Sequence, residues 1–177
     1  GALHSTPSPS TVLVADRVIY WRMASLLDEL TPSYGSLFTE ATERAQLVID
    51  RLWHHPPHPV HLVHGDLTLY NIMAFKGRLT PIDFQDMIWG FELQDVAITI
   101  ASLRTFDDAD ALVSAFFSGY AQVRPLPEHD IETLEGLIAA RQIDSLNYAL
   151  YVRKPELDTV VPEMARLMTR WLDRPAA

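Results

Sequence analysis

Residues 64–71 read His-Gly-Asp-Leu-Thr-Leu-Tyr-Asn, and residues 82–86 read Ile-Asp-Phe-Gln-Asp. Val60 to Val63, just before the first stretch, has the character of a short strand. Asn71 to Phe75 and Arg78 to Ile82 read as two strands joined at Lys76-Gly77, a hairpin signal. Asp66 therefore stands near a strand end, Asn71 at the entry of the hairpin and Asp83 just past its exit. Entry and exit of a hairpin lie on one rim, so Asn71 and Asp83 can share one metal ion. Phosphoryl transfer asks for this set: a carboxylate to orient a hydroxyl, and oxygen ligands to hold magnesium against phosphates. An amide oxygen and a carboxylate are hard ligands suited to Mg²⁺.

The two-part motif, His64-Gly65-Asp66 with Asn71 and then Asp83-Phe84, resembles the catalytic core of the aminoglycoside phosphotransferase and choline kinase family. These are protein-kinase-like proteins that phosphorylate small molecules, and protein kinases carry an analogous catalytic loop and metal-binding Asp-Phe-Gly. The segment Gly90-Phe91-Glu92-Leu93-Gln94-Asp95-Val96-Ala97 extends the resemblance, which covers roughly residues 60 to 105 by motif. It implies a catalytic pair in which Asp66 is the base and His64 braces the loop by hydrogen bonding. It implies Asn71 and Asp83 as the residues that bind Mg²⁺ and, through it, the co-substrate ATP. It also implies that Asp95 opens the next helix and braces the catalytic loop.

The family has an N-terminal lobe of mostly antiparallel strands, with a phosphate-covering loop and a Lys that holds the α- and β-phosphates. This sequence has 7 Gly, none in a Gly-rich loop, and its lysines, Lys76 and Lys154, both follow His64. The expectation is a mainly α chain with a small β-hairpin element, the C-terminal lobe of the protein-kinase-like fold. Residues 1–11 read as a Pro/Ser linker or truncated start, residues 12–177 as the lobe, and the N-terminal nucleotide lobe as absent. Such an isolated lobe is expected to be inactive alone and to expose an apolar face that favours a homodimer at high concentration.

Helical spacing recurs over 12–30, from an N-cap at Ser36 to about Trp53, and over about 93–104, 108–123, 128–152 and 159–172. The stretch from Thr31 to Gly35 reads as a break between the first two. Asp107 or Asp108 can cap the helix over 108–123. Trp21, Trp53, Phe116, Phe117, Tyr120 and Trp171 fall at helical spacing and read as core. Trp89 and Phe91 can line a substrate pocket, and Asp86 reads equally as an acid supporting the metal site or as a helix cap.

Composition excludes several classes. Zero Cys rules out disulfides and thiolate metal sites and suits a reducing cytoplasm. A formal net charge of −9 argues against nucleic acid as a partner. No apolar run approaches the ~20 residues that cross a membrane. His54, His55, His58, His61 and His64 crowd one tract, but prolines punctuate it and His64 belongs to the motif, so a metal site there is rejected.

The acceptor reads as a small-molecule hydroxyl rather than a protein. Gln85 replaces the Gly of the protein-kinase motif, and Thr68 stands where Ser/Thr kinases place a Lys. Only twelve positions separate Asp83 from Asp95, too few for a peptide-binding activation segment, and no Ala-Pro-Glu closes it. Asp144 and Glu156, in the last helices, can meet a cationic acceptor, with surface solubility as the plainer explanation of either. The competing readings are a non-catalytic kinase-like module and a Ser/Thr protein kinase.

Overall fold

The computed structural model describes residues 30, 32–54, 59–127, 129, 131–152 and 155–174. The expected linker over 1–11, all but the last residue of the helix expected over 12–30, with Trp21, and His55 and His58 lie outside them; residue 30 is a bend. The elements run α1 (Pro32–His54), β1 (His61–Val63), β2 (Ile72–Phe75), β3 (Arg78–Pro81), β4 (Ile88–Gly90), α2 (Glu92–Leu103), α3 (Ala109–Val123), α4 (Ile131–Tyr151) and α5 (Leu157–Leu172). Short 3-10 turns at Leu69–Asn71 and Phe84–Asp86 punctuate the β region. The mainly helical fold with a small hairpin is the one the sequence leads one to expect.

Among the described residues the chain forms two compact units. One comprises β1–β4, α2 and α3. In it β1 pairs antiparallel with β4, Leu62 opposite Trp89, and β2 pairs antiparallel with β3, Met73 opposite Thr80. Helix α2 contacts both β1 and α3. It is buried on almost every side, with Leu93, Val96, Ala97, Ile98, Ile100 and Leu103 in the core. A helix with that burial needs reasons for its polar residues, and for Asp95, Thr99 and Ser102 those reasons lie in the loop before β2.

The other unit packs α1, α4 and α5 together. Phe38, Ala41, Ala45, Val48, Ile49 and Leu52 form the buried stripe of α1, at the i, i+3, i+4 spacing of one helix face. Each large apolar side chain so buried contributes about 1.5–3 kcal/mol. Gly136 of α4 lets α1 come close: a Cβ there would lie 2.7–2.9 Å from the Val48 side chain. Val161, Ala165, Met168 and Trp171 are the buried stripe of α5.

Three local expectations are corrected. Helix α1 begins at Pro32, not at Ser36, because Pro suits a first helical position where its missing N–H costs nothing. Asn71 belongs to a 3-10 turn rather than to β2. Residues 88–90, unassigned in the sequence reading, form β4.

Candidate active site

The loop between β1 and β2 is shaped by backbone groups first. Gly65 has φ +79, the left-handed region open to glycine, and a Cβ there would sit 2.1 Å from the Asp86 carbonyl oxygen. Only glycine lets residue 65 lie against the turn that follows Asp83. Asp66 and Thr68 then close a tight bend, Thr68 N–H donating to Asp66 O at 2.8 Å.

Asp95 holds the start of this loop. Its Oδ2 accepts the His64 backbone N–H at 2.8 Å and its Oδ1 the Gly65 N–H at 2.9 Å. Asp95 is 2% exposed, and a carboxylate so buried is tolerable only when hydrogen-bonded. The brace expected of it is present. Two further residues act likewise. Thr99 Oγ1 donates to Leu67 O at 2.8 Å, and Ser102 Oγ accepts the Leu69 N–H at 3.2 Å. Asp95, Thr99 and Ser102 are spaced i, i+4, i+7, one polar line down a helix that is apolar beyond its first turn apart from them. The sequence reading missed Thr99 and Ser102, although polar residues at that spacing in an apolar helix were the available signal.

His64 is fully buried. Its Nε2 lies 2.9 Å from Ile82 O, and its Nδ1 lies 3.4 Å from Asp66 N. A carbonyl only accepts, so Nε2 carries the proton and Nδ1 accepts from Asp66 N–H. The ring also packs on Phe84, centroids 4.9 Å apart. His64 thus ties the Asp66 backbone to both residues flanking Asp83.

Two of the three motif side chains meet directly, and backbone pairing sets the third residue beside them. Asn71 Nδ2 donates to Asp66 Oδ2 and to Asp66 O, each at 2.8 Å. Asn71 O accepts the Ile82 N–H at 2.9 Å, continuing the β2–β3 ladder one step and setting Asp83 beside Asn71. With its nitrogen spent on Asp66, the Asn71 amide has its oxygen left for a cation, and Asp83 offers a solvent-exposed carboxylate. Asp83 holds φ 59, ψ 68, an uncommon conformation for a residue with a side chain and of the kind that clusters at functional sites. This donor set, two hard oxygens on one rim, fits Mg²⁺. Among the described residues no group of three or more His, Asp or Glu could hold a metal ion.

Other candidates fall elsewhere. Phe91, considered for a pocket, is 2% exposed and part of the core. Trp89 and the pair Phe116 and Phe117 are half-buried. Asp86 ends the 3-10 turn that passes under Gly65. Asp144 is no surface residue: it is 5% exposed and its Oδ2 meets Arg141 Nη1 at 3.1 Å. Glu156 is exposed at the N-cap of α5.

A buried helix gripping a loop that carries Asp66, with Asn71 and Asp83 on a hairpin rim, is the architecture of the C-terminal lobe of protein-kinase-like folds. Residues 1–132 match the phosphotransferase enzyme family, and the chain belongs to that family. No curated protein matches. Among solved structures, a thermostable mutant of aminoglycoside phosphotransferase APH(4)-Ia, in ternary complex with AMP-PNP and hygromycin B, is similar at TM-score 0.62 and 17% identity. The match covers 92% of this chain and 51% of that one. Choline kinase from Cryptosporidium parvum Iowa II is similar at TM-score 0.54 and 14% identity, over 97% of this chain and 60% of that one. The chain thus spans between half and three-fifths of the length of these solved structures. Among the described residues no helix is long and apolar enough to cross a membrane.

Proposed function

We propose that the chain is the catalytic lobe of an ATP-dependent phosphotransferase whose acceptor is a hydroxyl of a small molecule. The observation that supports this reading is the Asn71–Asp66 bond pair together with the Asn71–Ile82 backbone link, which joins two of the motif side chains and sets the Asp83 backbone beside them. Asp66 is the residue against which the acceptor hydroxyl docks, orienting it and taking its proton. Asn71 fixes the Asp66 carboxylate from one side while His64 fixes its backbone from beneath. Asn71 and Asp83 are the residues that would hold Mg²⁺, which when bound neutralises charge on the phosphates of ATP. Positioning and proton acceptance together are the protein's share of such a reaction.

The small-molecule acceptor follows from the route between Asp83 and Asp95. It is filled by a 3-10 turn, β4 and the first turn of α2, with no room for a segment that binds an extended peptide. Met73, Phe75 and Leu79 are exposed on the hairpin. Met73 and Phe75 share one face of the hairpin and Leu79 stands on the other. The Met73–Phe75 face offers an apolar surface for the nucleotide and for an N-terminal lobe of the same protein, and without that lobe it favours pairing of two copies. A cytoplasmic location suits a chain without cysteine that uses ATP.

The test is ATP-dependent phosphorylation of a panel of amino sugars, amino alcohols and other polyols by the full gene product, with Asp66→Asn beside it. The reading expects one acceptor class to be phosphorylated and Asp66→Asn to lower turnover about 10²–10⁴-fold with the fold intact. Turnover within a few-fold of the parent would remove Asp66 from its role. Absence of transfer to every acceptor would favour a non-catalytic module.

A further inference from the structure

Glu92 is a carboxylate that the chemistry above does not use. It is the first residue of α2 and is 6% exposed. Arg124, the residue that caps the end of α3, places Nη2 2.8 Å from Glu92 Oε1. His61, the first residue of β1, places Nε2 3.4 Å from the same oxygen. Three elements of one unit therefore meet at one buried carboxylate. Burial and the nearby Glu92 charge both push the Tyr120 phenol above its ordinary value, which sets Tyr120 in the same cluster.

The location gives the cluster its meaning. Asp95 stands three residues after Glu92, in the same first turn of α2. His61 stands three residues before His64, whose N–H Asp95 accepts, and pairs across the sheet with Gly90. Glu92 thus ties the strand that leads into the catalytic loop to the helix that grips the loop. A slip of one residue in the start of α2 would move Asp95 by about 1.5 Å along the axis and about 100° around it. Hydrogen bonds of 2.8 and 2.9 Å do not survive such a shift.

We propose that Glu92, clamped by Arg124 and His61, is a positioning residue that sets the start of α2 and so presents the Asp95 carboxylate to the backbone of the catalytic loop. The rival explanation is that Glu92 only complements the helix dipole at an N-terminus, which needs neither Arg124 nor His61. The proposal rests on the phosphotransfer reading only in naming the loop catalytic.

The experiment is amide hydrogen exchange, resolved by residue, on the chain and on Arg124→Met. The proposal expects exchange at His64 and Gly65 to rise about tenfold or more while amides at 137–146 in α4 stay unchanged. Arg124→Lys, which keeps the cation, should return most of the protection. A change at His64 and Gly65 of less than about twofold, an equal rise in α4, or no recovery in Arg124→Lys overturns it. If Arg124→Met does not fold, His61→Gln is read at the same two amides by the same criteria. None of these readouts requires turnover, so their failure leaves the phosphotransfer reading standing, and a failed transfer assay leaves this one standing.

Discussion

Asp95 and Gly65, thirty positions apart, are joined by a single bond: Asp95 Oδ1 accepts the Gly65 backbone N–H at 2.9 Å. Asp95 Oδ2 takes the neighbouring N–H of His64 at 2.8 Å. One buried carboxylate therefore fixes two consecutive peptide units, and the direction in which Asp66 leaves β1 follows from it.

Gly65→Ala tests how tightly that direction is held. Its Cβ would meet the Asp86 carbonyl, and its φ of +79 is one alanine disfavours. The left-handed conformation alone costs about 1–2 kcal/mol, and the clash adds to it. Urea denaturation should show a loss of at least about 2 kcal/mol.

Thr99→Val keeps the shape of a buried side chain and removes only its hydroxyl. Leu67 O then loses its donor, at a cost of about 1 kcal/mol. In an active preparation turnover should fall, while the denaturation midpoint shifts by no more than that ~1 kcal/mol accounts for. Unchanged turnover would mean that the Leu67 bond does not position Asp66.

Asp83→Asn separates charge from backbone conformation. Asn accepts the left-handed region nearly as readily as Asp, so stability should stay within about 0.5 kcal/mol of the parent. Mg²⁺-dependent nucleotide binding, measured calorimetrically on the complete protein, should weaken at least about tenfold. Equal nucleotide affinity with and without the substitution would remove Asp83 as a ligand.

Arg44→Met addresses the other unit. Arg44 Nη1 lies 3.0 Å from Leu172 O, 3.4 Å from Trp171 O and 3.3 Å from Arg174 O. Its guanidinium also stands 5.0 Å over the Trp171 ring. It caps the exposed carbonyls at the end of α5, and methionine keeps only the apolar stem. The expected loss is about 1–2 kcal/mol in the urea midpoint, with the His64 and Gly65 amides unaffected.

Tyr120→Phe has a signed pH dependence. The folded-state pKa of Tyr120 lies above the phenol's ordinary 10.0, first through burial and then through the Glu92 charge. A group whose folded pKa is raised contributes its stability fully below the unfolded pKa and loses it as pH rises past that value. The parent should therefore lose stability above about pH 10, and Tyr120→Phe should lose less. Near neutral pH the substitution should be neutral or stabilising, because the Tyr120 hydroxyl is buried without a hydrogen-bond partner.

The parts legible in the sequence were those written locally. The hairpin at Lys76-Gly77 and a helix from about residue 93 follow from turn chemistry and periodicity, and the hairpin itself puts Asn71 just before its entry and Asp83 just past its exit. Strand β4 was not legible, because three residues, Ile88 to Gly90, become a strand only through pairing with His61 to Val63, a contact no local window contains. The start of α1 was misread because proline stops a helix from inside and starts one from its first position, and the sequence alone does not say which. Thr99 and Ser102 were passed over because a motif names side chains that touch substrate, whereas these two touch only backbone. Asp144 reads as surface from the sequence because an acid in a helix usually is, whereas its burial beside Arg141 is set by the packing of α4.

Asp95, Thr99 and Ser102 hold the loop through N–H and C=O groups, which every residue other than proline possesses. The path of the loop is therefore largely indifferent to which side chains ride on it. Thr68, and Tyr70 with 87% of its surface exposed, can be exchanged without redrawing that path. Substitutions at such loop positions can therefore accumulate with the register of Asp66 and Asn71 carried along unaltered.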